Sequence, residues 1–272
     1  MNYDFKVFGQ GPAVIFVHGW PFTHKSFRKI IPPMSKHFKC YALNSLGMAN
    51  DGNGSEVPDM NFPDHARRII EFADAQDLKS FSLLGHDTGA SIARIVAATD
   101  PDRVNSLVLL NTEIPGHRPP FIGLYQKSLA LPGAYLSMRT MMKSKSFRRS
   151  AMGFGETVKD KSLIDNELKP VFMDHFMSSK QRFNGLRRYL IGLDLSMIDE
   201  ILDIQSKVTA PTQFIWGQDD KTFPCALGKN MANAMPSCRE FVEIENSCFL
   251  PQEEKPYEVT KHAIRFLDSI YQ

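Results

Sequence analysis

The residues whose types and spacing could do chemistry are Gly85-His86-Asp87-Thr88-Gly89, which follow the apolar run Phe81-Ser82-Leu83-Leu84 and precede a helix-like stretch. A Gly-x-nucleophile-x-Gly pattern suits a strained strand-to-helix turn, because small flanking residues let the backbone pass closely while the central side chain stands above the sheet edge. That central residue is Asp87, the candidate nucleophile. A carboxylate attacks saturated carbon, displacing a halide or opening an epoxide, and forms an alkyl ester. Attack on an ester or amide carbonyl would yield only a labile anhydride. The pattern therefore points to alkyl transfer followed by hydrolysis.

Such a turn must be carried by a sheet. Between Ala13 and Asn111, short apolar runs (Ala13–Val17, Cys40–Leu43, Phe81–Leu84, Leu107–Leu110) alternate with longer helical spacers, as a parallel sheet covered on both faces requires. One spacer, Asp64–Ala73, puts Ile69, Ile70 and Ala73 on one helical stripe. From about Gly116 to Ser206 the strand runs give way to Leu, Met, Arg and Lys at helical spacing. The strand pattern resumes at Gln213–Gly217 and Glu240–Ile244 and closes with a helix from about Lys255 to Tyr271. The expectation is an α/β fold with a mostly parallel, doubly wound sheet: a core from 1–115 and 207–272, and a helical cap over 116–206 inserted after the sixth strand. Ligands of open sheets bind outside the carboxyl ends of the strands, where such a cap would sit as a lid.

Composition narrows the function. The 272 residues carry 32 Lys and Arg against 30 Asp and Glu, so no global charge suggests a nucleic acid or anionic membrane partner. The segment Met1–Lys6 lacks the basic and apolar regions of a secretory signal, and no apolar run approaches the ~20 residues that span a bilayer. A soluble cytoplasmic protein is expected. Cys40, Cys225, Cys238 and Cys248 form no CxxC pair, so neither metal, cofactor nor disulfide is expected. The cap's Met138, Met141, Met142, Met152, Met173 and Met177 suit an adaptable apolar pocket or an ordinary core, and a small apolar molecule is the expected ligand. The basic stretch Arg139–Arg149 reads as a solvated face of the cap.

Three motifs, His18-Gly19-Trp20-Pro21, Gly85-His86-Asp87-Thr88-Gly89 and Trp216-Gly217-Gln218-Asp219-Asp220 with Pro224 beyond, occur in the order of the α/β-hydrolase superfamily. The chain most resembles its epoxide hydrolase and haloalkane dehalogenase branch. The resemblance implies that the backbone N–H groups of Trp20 and Thr88 form the oxyanion hole, and that Asp220, or alternatively Glu113, is the acid that orients a catalytic histidine. His18 and His86 read as structural. The position of that histidine, however, falls on Cys248 in Glu245-Asn246-Ser247-Cys248-Phe249-Leu250-Pro251. A thiol beside carboxylates stays protonated, so Cys248 serves poorly as base and is more simply a buried thiol. His117 is the alternative base, with His175 in the cap a second. Thr88 replaces the Trp that grips halide in haloalkane dehalogenases, and the cap lacks Trp. Tyr125, Tyr135 and Tyr189 could instead supply the paired donors by which epoxide hydrolases hold the epoxide oxygen. The expected function is an Asp87 alkyl-enzyme ester formed from an epoxide or haloalkane, with hydrolysis weak or altered. A non-catalytic ligand-binding homologue and an active hydrolase using His117 are the alternatives.

Overall fold

The computed structural model describes residues 4–48 and 60–272. Its centre is a seven-stranded sheet: β1 (Phe5–Phe8), β2 (Ala13–Val17), β3 (Lys39–Leu43), β4 (Phe81–His86), β5 (Val104–Leu110), β6 (Thr212–Gly217) and β7 (Cys238–Ile244). The spatial order is β1-β3-β2-β4-β5-β6-β7. All neighbours are parallel except β1 and β3, which run antiparallel. The apolar runs foretold six of these strands. β1 escaped notice because it is a short edge strand with three exposed residues and no continuous apolar run.

Alternation along the strands supplies both faces of the core. Ile15, Val17, Leu83, Leu107 and Leu109 pack on one side with the helix Phe62–Ala75, whereas Val14, Phe16, Leu84, Val108 and Leu110 meet Val259, Ala263, Phe266 and Leu267 of the last helix, Pro256–Tyr271. The helix Phe62–Ala75 starts at Asn61 through a reciprocal capping box with Asp64, and it buries Ile69 and Ala73 as the stripe required. Ile70 is only half-buried.

Every helix from Pro120–Ala130 through Ile201–Ser206 lies between β5 and β6. The insertion therefore follows the fifth strand of this sheet rather than the sixth. Within it, Ile164–Met173 winds wider than an α-helix and accommodates Pro170, which lacks the N–H that regular α-helical bonding would use. The cap is tied to the core by the Trp20 indole N–H, which donates to the Leu186 carbonyl at 3.0 Å, and by Arg28, whose guanidinium meets Glu167 at 2.7 Å. The basic stretch is not uniformly solvated. Arg148 is buried, donating to Asp165 at 2.5 Å and to the carbonyls of Met142 and Lys143, because those carbonyls end a helix and need a donor. Among the described residues no helix is long and apolar enough to cross a membrane.

Candidate active site

Asp87 stands at the carboxyl end of the central strand β4, at the start of the helix Thr88–Thr99. Its backbone has φ 56° and ψ −133°, a conformation an L-residue adopts only where its surroundings enforce it. The enforcing contacts are specific. The Asp87 N–H donates to the Asn111 carbonyl at 2.9 Å, and the Asp87 carbonyl accepts from Thr112 Oγ1 at 3.0 Å and from the Ala90 N–H at 2.9 Å. A Cβ at Gly89 would fall on the carbonyl oxygens of Val17 and His18, so only glycine lets the helix start this close to β2.

The carboxylate lies between the two backbone donors. The Trp20 N–H donates to Asp87 Oδ2 at 2.9 Å, and the Thr88 N–H bonds the same carboxylate. Gly19 permits this approach, since a Cβ there would overlap the carboxylate. Burial, and then the charge of Glu113, push the Asp87 pKa well above the usual carboxylate range, against the opposing pull of the two N–H groups.

Above the elbow is a cavity of about 470 Å3, within the range of small-molecule sites. Asp87, Thr88, Glu113 and Trp20 line it, with apolar walls that include Phe22, Phe176, Leu186, Leu190, Phe223 and Phe249. Met138, Met142, Met173 and Met177 face it too, whereas Met141 and Met152 are exposed. Arg118 and Glu156 are the other charged residues on its wall.

The two candidate acids differ in setting. Asp220 is buried and does not line the cavity; its Oδ1 accepts from the N–H groups of Thr222 (2.7 Å) and Phe223 (3.1 Å), and its Oδ2 from Asn111 Nδ2 (2.6 Å). Burial nevertheless raises its pKa to about 7, because no cation lies among those partners. Glu113 does line the cavity. Its Oε2 accepts from Ser91 Oγ at 2.6 Å and lies 3.0 Å from Thr112 Oγ1. Its pKa is also raised by burial, opposed by these hydroxyls and by Arg94.

Cys248 is 8% exposed, and its N–H donates to Glu254 Oε2 at 2.7 Å. Burial, Glu254 and Asp220 push its thiol up to about 11, so at neutral pH it is protonated and cannot act as a base. The next residue, Phe249, reaches the cavity instead. Its carbonyl accepts from His86 Nε2 at 2.9 Å, and the two rings stand 4.6 Å apart.

No histidine among the described residues lines the cavity. His18 Nε2 accepts from the Ser45 N–H at 3.0 Å while Nδ1 donates to the Gly19 carbonyl at 2.9 Å, and burial lowers both His18 and His86 to about 4. His117, the alternative base, does not reach the cavity wall; its Nε2 donates to the Thr222 carbonyl at 2.8 Å, since the loop that carries it turns toward β6. His175 likewise lies off the wall.

The tyrosines do not form a donor pair. Tyr125 lines the cavity, but its hydroxyl bonds the Met152 carbonyl. Tyr189 is buried off the wall with its hydroxyl 2.9 Å from Thr88 Oγ1, and Tyr135 turns to the Met177 carbonyl at 3.2 Å. Backbone carbonyls inside a helical cap need donors, and two of these hydroxyls are used there.

The sequence reading missed Ser91, Arg94 and Thr112. Arg94 is fully buried, and one of its terminal nitrogens donates to Ser91 Oγ at 3.0 Å, Thr112 Oγ1 at 2.9 Å and the Glu113 carbonyl at 3.3 Å. The available signal was one charge inside the apolar helix Ile92-Ala93-Arg94-Ile95-Val96.

Comparison with known proteins bears on the family and the fold. An uncharacterized hydrolase of Bacillus subtilis, YugF, is 25% identical over 94% of this chain and 89% of its own length. A bifunctional epoxide hydrolase of Rattus norvegicus is 22% identical over 98% of this chain, which spans about half (53%) of that protein. The structure of a thermophilic esterase from Thermogutta terrifontis superimposes with a TM-score of 0.77 at 19% identity, covering 99% of this chain and 94% of that one. The family model of the alpha/beta hydrolase fold matches residues 12–256, and the chain belongs to that family.

Proposed function

We propose that this hydrolase-fold protein acts on a small apolar electrophile of the epoxide or haloalkane type through an alkyl ester on Asp87. The observation that carries the reading is the aspartate itself. A carboxylate occupies the strained elbow where its oxygens meet the N–H groups of Trp20 and Thr88 and where the side chain borders an apolar cavity. The apolar wall favours a substrate that sheds water readily, and the two donors would stabilise the oxyanion formed when water attacks the ester carbon. The epoxide hydrolase among the relatives supports the same branch.

The second step runs without the histidine that would ordinarily assist it. General acid–base help is worth about 10²- to 10⁴-fold, so without another base in place of the histidine the ester would be long-lived relative to its formation. The test is a single turnover in ¹⁸O-labelled water with a panel of epoxides and bromoalkanes, followed by peptide mapping. One label in the Asp87 carboxylate, or an alkyl adduct there, supports the reading; product formed with neither sinks it.

A second reading, a non-catalytic binding protein, is favoured by one observation: the residue at the histidine position is a thiol with its pKa at about 11. Neither adduct nor product across the panel, with ligand-induced stabilisation by apolar compounds, would select it.

A further inference from the structure

We propose that Glu113 moves the protons of this reaction, acting as acid when the electrophile opens and as base for the water that releases the Asp87 ester. The proposal rests on the Asp87 alkyl-ester reading above. Two arrangements carry it. First, Glu113 and Asp87 line the same cavity, and the Thr112 hydroxyl, 3.0 Å from the Asp87 backbone carbonyl and 3.0 Å from Glu113 Oε2, ties Glu113 to the elbow that carries Asp87. Ser91 Oγ fixes the same oxygen at 2.6 Å, so the carboxylate is held at a set orientation beside the nucleophile. Second, the other proton carriers are occupied elsewhere. Among the described residues of the wall, the Tyr125 hydroxyl bonds the Met152 carbonyl, Arg118 pairs with Asp199 at 2.8 Å, and Glu156 faces Lys221 at 3.9 Å. Asp220, Cys248 and His117 do not line the cavity.

The chemistry closes on one shared proton. Two buried carboxylates in mutual electrostatic contact favour a state in which one is ionised and the other protonated; burial and the Glu113 charge hold that proton mainly on Asp87, so the reacting state is the one in which it has passed to Glu113. In the first step ionised Asp87 attacks an epoxide carbon, the carbon–oxygen bond breaks, and protonated Glu113 gives its proton to the departing alkoxide. Asp87 is now a neutral ester, which removes its repulsion and leaves Glu113 ionised. Water then attacks the ester carbonyl carbon and Glu113 takes one of its protons. The oxyanion collapses against the Trp20 and Thr88 N–H groups, the alkoxide leaves with the proton from Glu113, and Asp87 emerges as a carboxylic acid. Passing that proton back to Glu113 restores the starting state. A bromoalkane needs no acid in the first step, since bromide leaves unprotonated; Glu113 then gives its proton to solvent before it serves as base, and turnover yields alcohol, bromide and one released proton.

The experiment compares the parent with Glu113→Gln on 1,2-epoxyhexane and 1-bromohexane, reading product by chromatography and the Asp87 peptide by mass spectrometry. The expected result is turnover of both by the parent. With Glu113→Gln, epoxide consumption falls about 10²- to 10⁴-fold, and 1-bromohexane leaves a hexyl ester on Asp87 that persists. Glu113→Asp, which keeps the carboxylate at shorter reach, should recover part of the release. Release by Glu113→Gln at the parent's rate overturns the proposal while leaving Asp87 as nucleophile, as does a parent that accumulates the ester without product. A parent with neither adduct nor product overturns both readings.

Discussion

Asp220 offers the sharpest test of the electrostatics, because it is buried with only Asn111 and the Thr222 and Phe223 N–H groups as partners and no cation among them. Its pKa is about 7 in the folded protein and about 3.9 in an unfolded chain. The folded state therefore binds this proton more tightly. The resulting stabilisation is fully present below pH 3.9 and is lost as pH rises through 7. Between pH 5 and pH 8 the loss is about 2.5 kcal/mol. The perturbation is Asp220→Asn, which retains an Oδ1 acceptor for the N–H groups of Thr222 and Phe223 and cannot titrate. Its cost is a facing pair of amide donors, because Asn111 Oδ1 already accepts from the Gly217 N–H at 3.1 Å and Asn111 cannot turn over freely. An unpaired buried donor costs about 1–3 kcal/mol, at both pH values alike. The assay is urea unfolding of parent and variant at pH 5 and pH 8. The buried histidines His18, His24, His65 and His86 and the half-buried His175 have lowered pKa values and pull the other way, losing stability as pH falls below about 6.5. They are common to both proteins, so the difference between the two pH responses isolates Asp220. The variant should gain about 2.5 kcal/mol on the parent in going from pH 5 to pH 8. A difference below about 0.5 kcal/mol would refute the argument that burial without a cation holds Asp220 near neutrality.

Introducing Cys248→His into the Glu113→Gln background should speed release of the Asp87 ester by at least about 10-fold, toward the 10²- to 10⁴-fold worth of a general base, in the same mass-spectrometric assay. The thiol of residue 248 lies off the wall, so an unchanged lifetime would mean that the longer imidazole does not reach the ester from there either. Phe249→Ala should destabilise the protein by about 3–5 kcal/mol in urea, since its ring packs against Phe22, His86 and Phe223. The enlarged cavity should also lower KM for longer alkyl epoxides relative to short ones. Tyr189→Phe should cost about 0.5–1.5 kcal/mol of stability through the lost bond to Thr88 and leave the rate of Asp87 alkylation intact. A fall of more than about 10²-fold in epoxide opening would instead make Tyr189 the proton donor.

The elbow and six strands were legible in the sequence because each is local. Small glycines around Asp87 and short apolar runs at strand length have few other ways to fold, and the change from strand-like to helical spacing near Gly116 and back near Ser206 coincides with the helices between β5 and β6. The candidate nucleophile, and with it the expectation of alkyl over acyl chemistry, rested on residue 87 alone. The edge strand Phe5–Phe8 was not legible, since an exposed antiparallel strand buries too little to leave an apolar run. What tertiary structure alone decided is which side chains face the cavity. Glu113 and Asp220 both read as loop carboxylates, yet only Glu113 borders the space beside Asp87. The three cap tyrosines read as equivalent, yet each hydroxyl was claimed by a different partner. His117 lies close to Glu113 in sequence and still turns to the Thr222 carbonyl. Arg94 was passed over in the sequence and proved to be the buried brace of Ser91, Thr112 and Glu113. In each case the outcome depended on which unsatisfied polar group lay nearest once segments distant in the chain had packed, and buried polar groups must find partners wherever the fold brings them.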